Sequence, residues 1–73
     1  MKLPRGLSGE QTIRALEKAG FRRVRQRGSH VVVKRADPPA RTVVPLHREL
    51  DTGTLRGILA DIELSVEAFL ALL

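Results

Sequence analysis

Cysteine, tyrosine and tryptophan are all absent from this chain of 73 residues. Without cysteine there is no disulfide framework, no thiol nucleophile and no cysteine-ligated zinc site. Without tyrosine or tryptophan, and with only two phenylalanines, a sheet has no platform on which bases stack. No apolar run is long enough for a signal peptide or a membrane span, so we expect no membrane association and a cytoplasmic location.

The short chain and its uneven charge set the next expectations. One domain over residues 1–73 with a small core is expected, and a small core leaves self-association into a homodimer open. Residues 1–35 hold ten Lys/Arg and two acids, a net +8, whereas residues 36–73 hold three and six, a net −3. This clustering indicates nucleic-acid binding, with a solvated basic face that has no partner as the alternative.

The dipeptide Gly28-Ser29 lies between two strand-like runs, residues 21–27 and 30–35, and is a signal for a two-residue hairpin turn. The turn predicts which residues oppose each other on one face of the hairpin: Arg27 and His30, Arg25 and Val32, Arg23 and Lys34. On the other face the predicted pairs are Gln26 with Val31 and Val24 with Val33. One face is therefore expected to be cationic around a single histidine, and the other to face a core.

The rest of the chain predicts an α+β fold. Helix-start signals occur at Ser8, at Asp51-Thr52 and at Ser65. Gly20 is the expected stop of the first helix, and residues 42–44 are expected to form a short edge strand that Pro45 ends. The element order α-β-β-β-α-α therefore predicts a three-stranded antiparallel sheet with helices on one face.

The cationic face around His30 matches what cleavage of RNA requires. A base removes the 2′-hydroxyl proton, cations hold the phosphate, and histidine suits the base because its ordinary pKa of about 6.5 is near working pH. Arg27, with its Cβ about 5 Å from that of His30, is expected to favour the neutral imidazole. Arg23 and Arg25 are candidate bidentate phosphate ligands, and Lys34 is a further cation for the same role. The alternative is that His30 only flanks the turn.

His47 is the second histidine of the chain. It is a candidate second acid or base if the third strand lies beside the hairpin, and an ordinary loop histidine otherwise. The two histidines have no organised carboxylates near them in the sequence, so no metal site is recognisable and no cofactor is expected.

Four segments, in order along the chain, resemble the HicA toxin family: Gly20-Phe21, Arg25-Gln26-Arg27-Gly28-Ser29-His30, Val44-Pro45-x-His47 and Gly53-Thr54-Leu55-Arg56-x-Ile58-Leu59. The resemblance extends over about residues 7–73. It implies a double-stranded-RNA-binding-domain-like fold, mRNA interferase activity that does not depend on the ribosome, and silencing by a HicB antitoxin. It also implies that His30 is the catalytic histidine, presented by the turn at Gly28 and Ser29.

Three functions are therefore compared. The first is a ribonuclease toxin that uses His30 as general base and Arg25 and Arg27 as phosphate ligands, without a metal. The second is a non-catalytic double-stranded-RNA-binding module, and the third is a protein-interaction module whose basic face binds an acidic partner. Double-stranded-RNA-binding modules usually carry lysines at the start of the second helix. This chain has Glu49 and Asp51 there, which favours the enzyme.

Overall fold

A computed structural model describes residues 2–73 of the chain. The elements in order are α1 (Gly9–Lys18), β1 (Arg22–Arg27), β2 (His30–Arg35), β3 (Ala40–Pro45), α2 (Thr52–Asp61) and α3 (Val66–Leu70). The strands form one antiparallel sheet in the order β1-β2-β3. The predicted α+β class, element order and sheet are confirmed. None of the helices formed by residues 2–73 is long and apolar enough to cross a membrane.

The helix ends follow local signals in the sequence. Each helix begins after a predicted N-cap: Ser8 for α1, Asp51 for α2 and Ser65 for α3. At α1 the cap is a full capping box, in which the Gln11 side chain accepts from the Ser8 backbone N–H. After α1, Gly20 has a φ of +95° and the Phe21 N–H donates to the Leu16 carbonyl at 3.1 Å. This is a Schellman ending, with Gly20 as the predicted stop of the helix.

The helices cover one face of the sheet, which we call the inner face, and leave the opposite, outer face to solvent. Thr42 and Val44 of β3 point inward and are buried, as are Val31 and Val33 of β2. The Thr42 hydroxyl donates to Asp61 of α2 at 2.9 Å, which ties that helix to the sheet. The apolar core comprises Leu3, Ile13, Ala15, Leu16, Phe21, Val31, Val33, Val44, Leu50, Leu55, Ile58, Leu59, Ile62 and Phe69.

A β-bulge at Val24 changes the predicted register of β1. Near the turn the prediction is confirmed: Arg27 pairs with His30, Gln26 with Val31 and Arg25 with Val32. Beyond the bulge Arg23 pairs with Val33, and Arg22 pairs with Lys34. The predicted pairs of Arg23 with Lys34 and Val24 with Val33 are wrong, because one extra residue in a strand moves every side chain on the side of the bulge away from the turn to the other face. Val24 is 51% exposed and lies outside the core.

The third strand is longer than predicted. It has six residues, Ala40–Pro45, instead of three, and it is an edge strand as expected. Its last residue, Pro45, pairs with His30 of β2. Proline is tolerated there because an edge strand has no further neighbour that needs the missing N–H.

The start of α1 lies directly against the end of β3. The Gly9 N–H donates to the His47 carbonyl at 2.9 Å, and a Cβ added at Gly9 would lie 1.9 Å from the Pro45 carbonyl oxygen. Only glycine permits two backbone segments to approach so closely. This contact fixes the segment after β3 against the helix.

Candidate nucleic-acid interface and active site

The β1–β2 turn places His30 at the beginning of β2. Gly28 has a φ of +59°, and no positive φ occurs at Ser29, which is the pattern of a type II′ hairpin turn. The Gln26 side-chain amide, on β1, donates to the Gly28 carbonyl at 3.0 Å and stabilises the turn. Gly28 and Ser29 therefore form the turn that the sequence predicted.

His30 lies in the middle of a row that crosses the sheet. Arg27 of β1 is its neighbour on one side and Pro45 of β3 is its neighbour on the other. The side chain is exposed, and within residues 2–73 no hydrogen bond engages its imidazole. Both ring nitrogens are consequently available to a substrate on the outer face.

The outer face carries five cations on its three strands and no carboxylate. The cations are Arg22, Arg25, Arg27, Lys34 and Arg41. All five are exposed, and none forms an ion pair with a residue between 2 and 73. The positive charge of this surface is thus not neutralised by the protein itself.

Arg23 differs from these five because the bulge directs it to the helix side of β1. Its guanidinium forms ion pairs with Glu10 and, at 3.6 Å, with Glu17 of α1. Hydrogen bonding from Arg23 is the main cause that lowers the pKa of the Glu10 carboxyl and, reciprocally, raises the pKa of Arg23. The predicted place of Arg23 on the cationic face is therefore wrong, and Arg22 occupies that place instead.

Arg35, the last residue of β2, also has a structural role. Its guanidinium lies 4.6 Å from the centre of the Phe21 ring and donates to the Pro38 carbonyl at 2.8 Å. These contacts join the segment after α1 to the β2–β3 loop.

His47 lies in the loop after β3, close to the hairpin turn. The Leu46 N–H donates to the Ser29 carbonyl at 2.6 Å, so the condition set for His47, a third strand beside the hairpin, is met. The side chain of His47 is exposed. Hydrogen bonding from Thr54 is the main cause that lowers the pKa of the Asp51 carboxyl, and His47 makes only a small electrostatic contribution to it. No hydrogen bond joins His47 to His30 in the part of the chain that the structure describes.

The start of α2 is unsuited to a phosphate. The Asp51 carboxylate accepts from the Thr54 N–H at 2.7 Å, so the helix N-terminus already holds an anion. Glu49, two residues earlier, is exposed beside it. A nucleic-acid phosphate approaching this end of the molecule would meet two carboxylates and one cation, Arg5, which lines the same depression. Over residues 2–73 the structure also brings together no group of three or more His, Asp or Glu side chains that could hold a metal ion.

Two outer-face cations, Arg22 and Arg41, were not found from the sequence. Arg22 was missed because the side chains of the run Arg22-Arg23-Val24-Arg25 were expected to alternate between the two faces of the sheet without a bulge, which would direct Arg22 to the inner face. Arg41 reaches the row of Lys34 only because β3 begins at Ala40, and no local signal in the sequence sets that starting point.

The fold and this surface define a small α+β domain with a basic, solvent-exposed sheet face, the electrostatic pattern associated with nucleic-acid binding. The model of the HicA toxin family of bacterial toxin–antitoxin systems matches residues 9–64, and the chain belongs to that family. The resemblance found in the sequence is thereby confirmed. A comparison with curated proteins gives no match. Membership in a toxin–antitoxin family implies a toxin role and an antitoxin partner.

Proposed function

We propose that this toxin is a metal-independent endoribonuclease that cleaves mRNA in the cytoplasm. We also propose that residues 1–73 form a single domain. The observation that carries the proposal is the exposed His30, in a surface of five cations without a carboxylate. Histidine accepts and returns protons near neutral pH, and guanidinium groups bind phosphate oxygens in pairs. The two capacities that RNA cleavage requires are therefore adjacent.

In the proposed reaction His30 removes the proton of a ribose 2′-hydroxyl. The 2′-oxygen then forms a bond to the adjacent phosphorus, and the bond from phosphorus to the 5′-oxygen breaks. Arg25 and Arg27 hold the non-bridging oxygens while negative charge develops on them. The 5′-oxygen takes up a proton from the imidazolium of His30 or from His47, the candidate second acid. The products are a 2′,3′-cyclic phosphate and a 5′-hydroxyl.

The decisive experiment compares wild type with His30→Ala on a defined RNA. We expect cleavage to fall by roughly 10²–10⁴, the usual contribution of a general acid–base group, while RNA binding is retained because Arg25 and Arg27 remain. Lys18→Ala, an exposed cation on α1, is the matched control and is expected to cleave normally. Unchanged cleavage by His30→Ala would remove His30 from the mechanism.

Three further readouts of the same assay test the chemistry. A substrate with 2′-O-methyl groups is expected to resist cleavage because the attacking oxygen is blocked. Wild-type products are expected to carry cyclic phosphate ends, and 3′-hydroxyl ends would contradict the proposed attack. Activity is expected to survive EDTA, and a loss that added metal restores would contradict a histidine mechanism.

His47→Ala tests the source of the second proton. This variant is expected to slow cleavage only if His47 is the acid that protonates the 5′-oxygen.

The alternative of a non-catalytic double-stranded-RNA-binding module is less well supported by the start of α2. Asp51 and Glu49 occupy that position, where such a module would need cations to grip phosphates. Binding of duplex RNA without cleavage by the wild type would favour this alternative.

We further propose that a HicB-type antitoxin silences the toxin by covering the outer face. An acidic partner surface would neutralise the five unpaired cations and exclude RNA from His30. The proposal predicts that a complex with the antitoxin neither cleaves nor binds RNA, and that high salt weakens the complex.

A further inference from the structure

Three cations form a row across the sheet at the end opposite to His30. Lys34 of β2 pairs with Arg22 of β1 on one side and with Arg41 of β3 on the other. Each comes from a different strand, each is exposed, and none has an ion-pair partner within residues 2–73. Like charges opposite each other destabilise a sheet, so the protein maintains this row at a cost that an anionic ligand would relieve.

The row between this basic row and His30 consists of Arg25, Val32 and Val43, so two of its three side chains are apolar. Val24 is 51% exposed and Val43 is 42% exposed, and Val32, which pairs with Val43, is half-buried between them. We call these three residues the valine strip. Val24 and Val32 line a shallow depression of the outer face together with Arg25, Lys34 and Arg41. The bulge contributes to this arrangement, because it exposes a valine that an unbroken strand would bury.

The outer face therefore has three zones. His30 and Lys34 are four residues apart on one strand, a separation of about 13 Å at roughly 3.3 Å per residue. A single phosphate held beside His30 cannot also reach the basic row. Only a polymer that crosses the valine strip contacts both ends of the face.

We infer that the outer face binds an unpaired RNA strand, and that Arg22, Lys34 and Arg41 hold a phosphate of that strand remote from the cleaved bond. The inference rests on the proposed function and specifies its substrate class. A base-paired helix presents phosphates and 2′-hydroxyls, and hides the flat faces of its bases. An unpaired strand exposes these faces, which can cover the valine strip. The strip lacks aromatic rings, so the contact is apolar without stacking and tolerates different bases.

The first test measures binding in the absence of cleavage. A fluorescent RNA strand with 2′-O-methyl groups at every position is titrated with protein at several salt concentrations, and anisotropy gives the affinity. The variant is Arg22→Gln/Arg41→Gln, which retains the apolar stems of both side chains. The control is Arg14→Gln/Lys18→Gln on α1, where both residues are exposed. It removes the same charge from the helix side of the molecule.

The expected result follows from counterion release. Each phosphate contact on a single strand contributes about 0.7 to the slope of log affinity against log salt. The variant removes two of the three cations that hold one phosphate, so it is expected to lower the slope by up to about 0.7 and, at 0.1 M salt, to weaken binding by roughly fivefold. The control is expected to change the affinity by less than about threefold, because its charges lie away from the strand. Equal effects of variant and control would overturn the remote phosphate site.

The second test concerns the valine strip. The isosteric pair Val24→Thr/Val43→Thr is expected to weaken binding of the single strand by at least about threefold through lost apolar contact, with an unchanged salt slope. The same strand annealed to its complement is expected to compete less well than the free strand. An unchanged affinity of the threonine variant, or equal competition by the duplex, would overturn the assignment to unpaired RNA. Thermal melting verifies that each variant is folded.

The two proposals fail in different ways. If wild type binds the single strand with the expected salt slope and does not cleave a natural RNA, the nuclease proposal fails and the binding mode stands. If His30→Ala abolishes cleavage and the Arg22/Arg41 variant binds like its control, the nuclease proposal stands and the remote phosphate site is excluded.

Discussion

Replacement of Gly9 by alanine tests the closest backbone approach in the molecule. The added Cβ would lie 1.9 Å from the Pro45 carbonyl oxygen, 2.9 Å from its carbonyl carbon and 3.0 Å from the Leu46 Cα. All three are backbone atoms, so no side-chain rotation relieves the clash. Either α1 or the segment after β3 must move by about 1.5 Å to restore an ordinary contact. That movement strains the hydrogen bond from the Gly9 N–H to the His47 carbonyl.

The expected cost has two parts. Overpacking at a site that cannot relax costs about 1–3 kcal/mol, and the strained backbone hydrogen bond adds about 0.5–1.5 kcal/mol. We therefore expect Gly9→Ala to lower the free energy of unfolding by about 3 kcal/mol. A domain of this size has a total stability of roughly 4–11 kcal/mol. Each kcal/mol shifts the melting temperature by about 4–8 °C, so a decrease of well over 10 °C is expected.

Gly57→Ala is the matched control for this prediction. Gly57 lies in α2 and is exposed, and a Cβ added there meets no atom within 4 Å. The same substitution is expected to stabilise the protein by about 0.5–1 kcal/mol through helix propensity. Urea denaturation and thermal melting of both variants give the comparison. A Gly9→Ala protein as stable as wild type would show that the contact between α1 and Pro45 is looser than the structure has it, and would refute the reasoning.

Two further predictions concern stability. Glu63 has a φ of +53° just after α2, so Glu63→Gly is expected to raise stability by about 1 kcal/mol and the melting temperature by roughly 4–8 °C. Glu63→Ala is expected to bring no such gain, and equal melting temperatures of the two variants would contradict the explanation. The pKa of Glu10 is lowered by Arg23, so its contribution to stability is present above its ordinary value of 4.5 and is lost as pH falls through the lower folded value. Denaturation at several acidic pH values is expected to show a shallower loss in Arg23→Ala, and identical pH profiles would exclude the pair as a cause.

Much of the fold was predictable because its signals are local. The capping box at Ser8 and the glycine stop at Gly20 involve groups within a few residues of each other, and they form in the same way in many proteins. The same holds for Gly28-Ser29, whose turn geometry determines the register of the adjacent pairs up to Arg25. The position of His30 on the outer face was therefore predictable from a dipeptide and the alternation of strand side chains.

The parts of the site that were missed depend on contacts between distant segments. Arg23 interacts with Glu10, thirteen residues earlier, on the helix side of β1. No sequence pattern within β1 predicts the ion pair with Glu10 or the bulge at Val24. Arg41 joins the basic row because β3 pairs with β2 over six residues. That extent depends on how the sheet and helices pack.

By itself, the sequence determined the order of the elements, the hairpin turn and the histidine beside Arg27, because hydrogen bonds between near neighbours and the periods of helices and strands are sufficient for these features. Only the tertiary structure decided which arginines share the surface with His30. Relative to an unbroken strand, the bulge reverses the faces of Arg22 and Arg23, which lie on its side away from the turn. Whether a strand contains a bulge depends on ion pairs and packing across the fold. As a direct result, Arg22 lies on the outer face in place of the predicted Arg23.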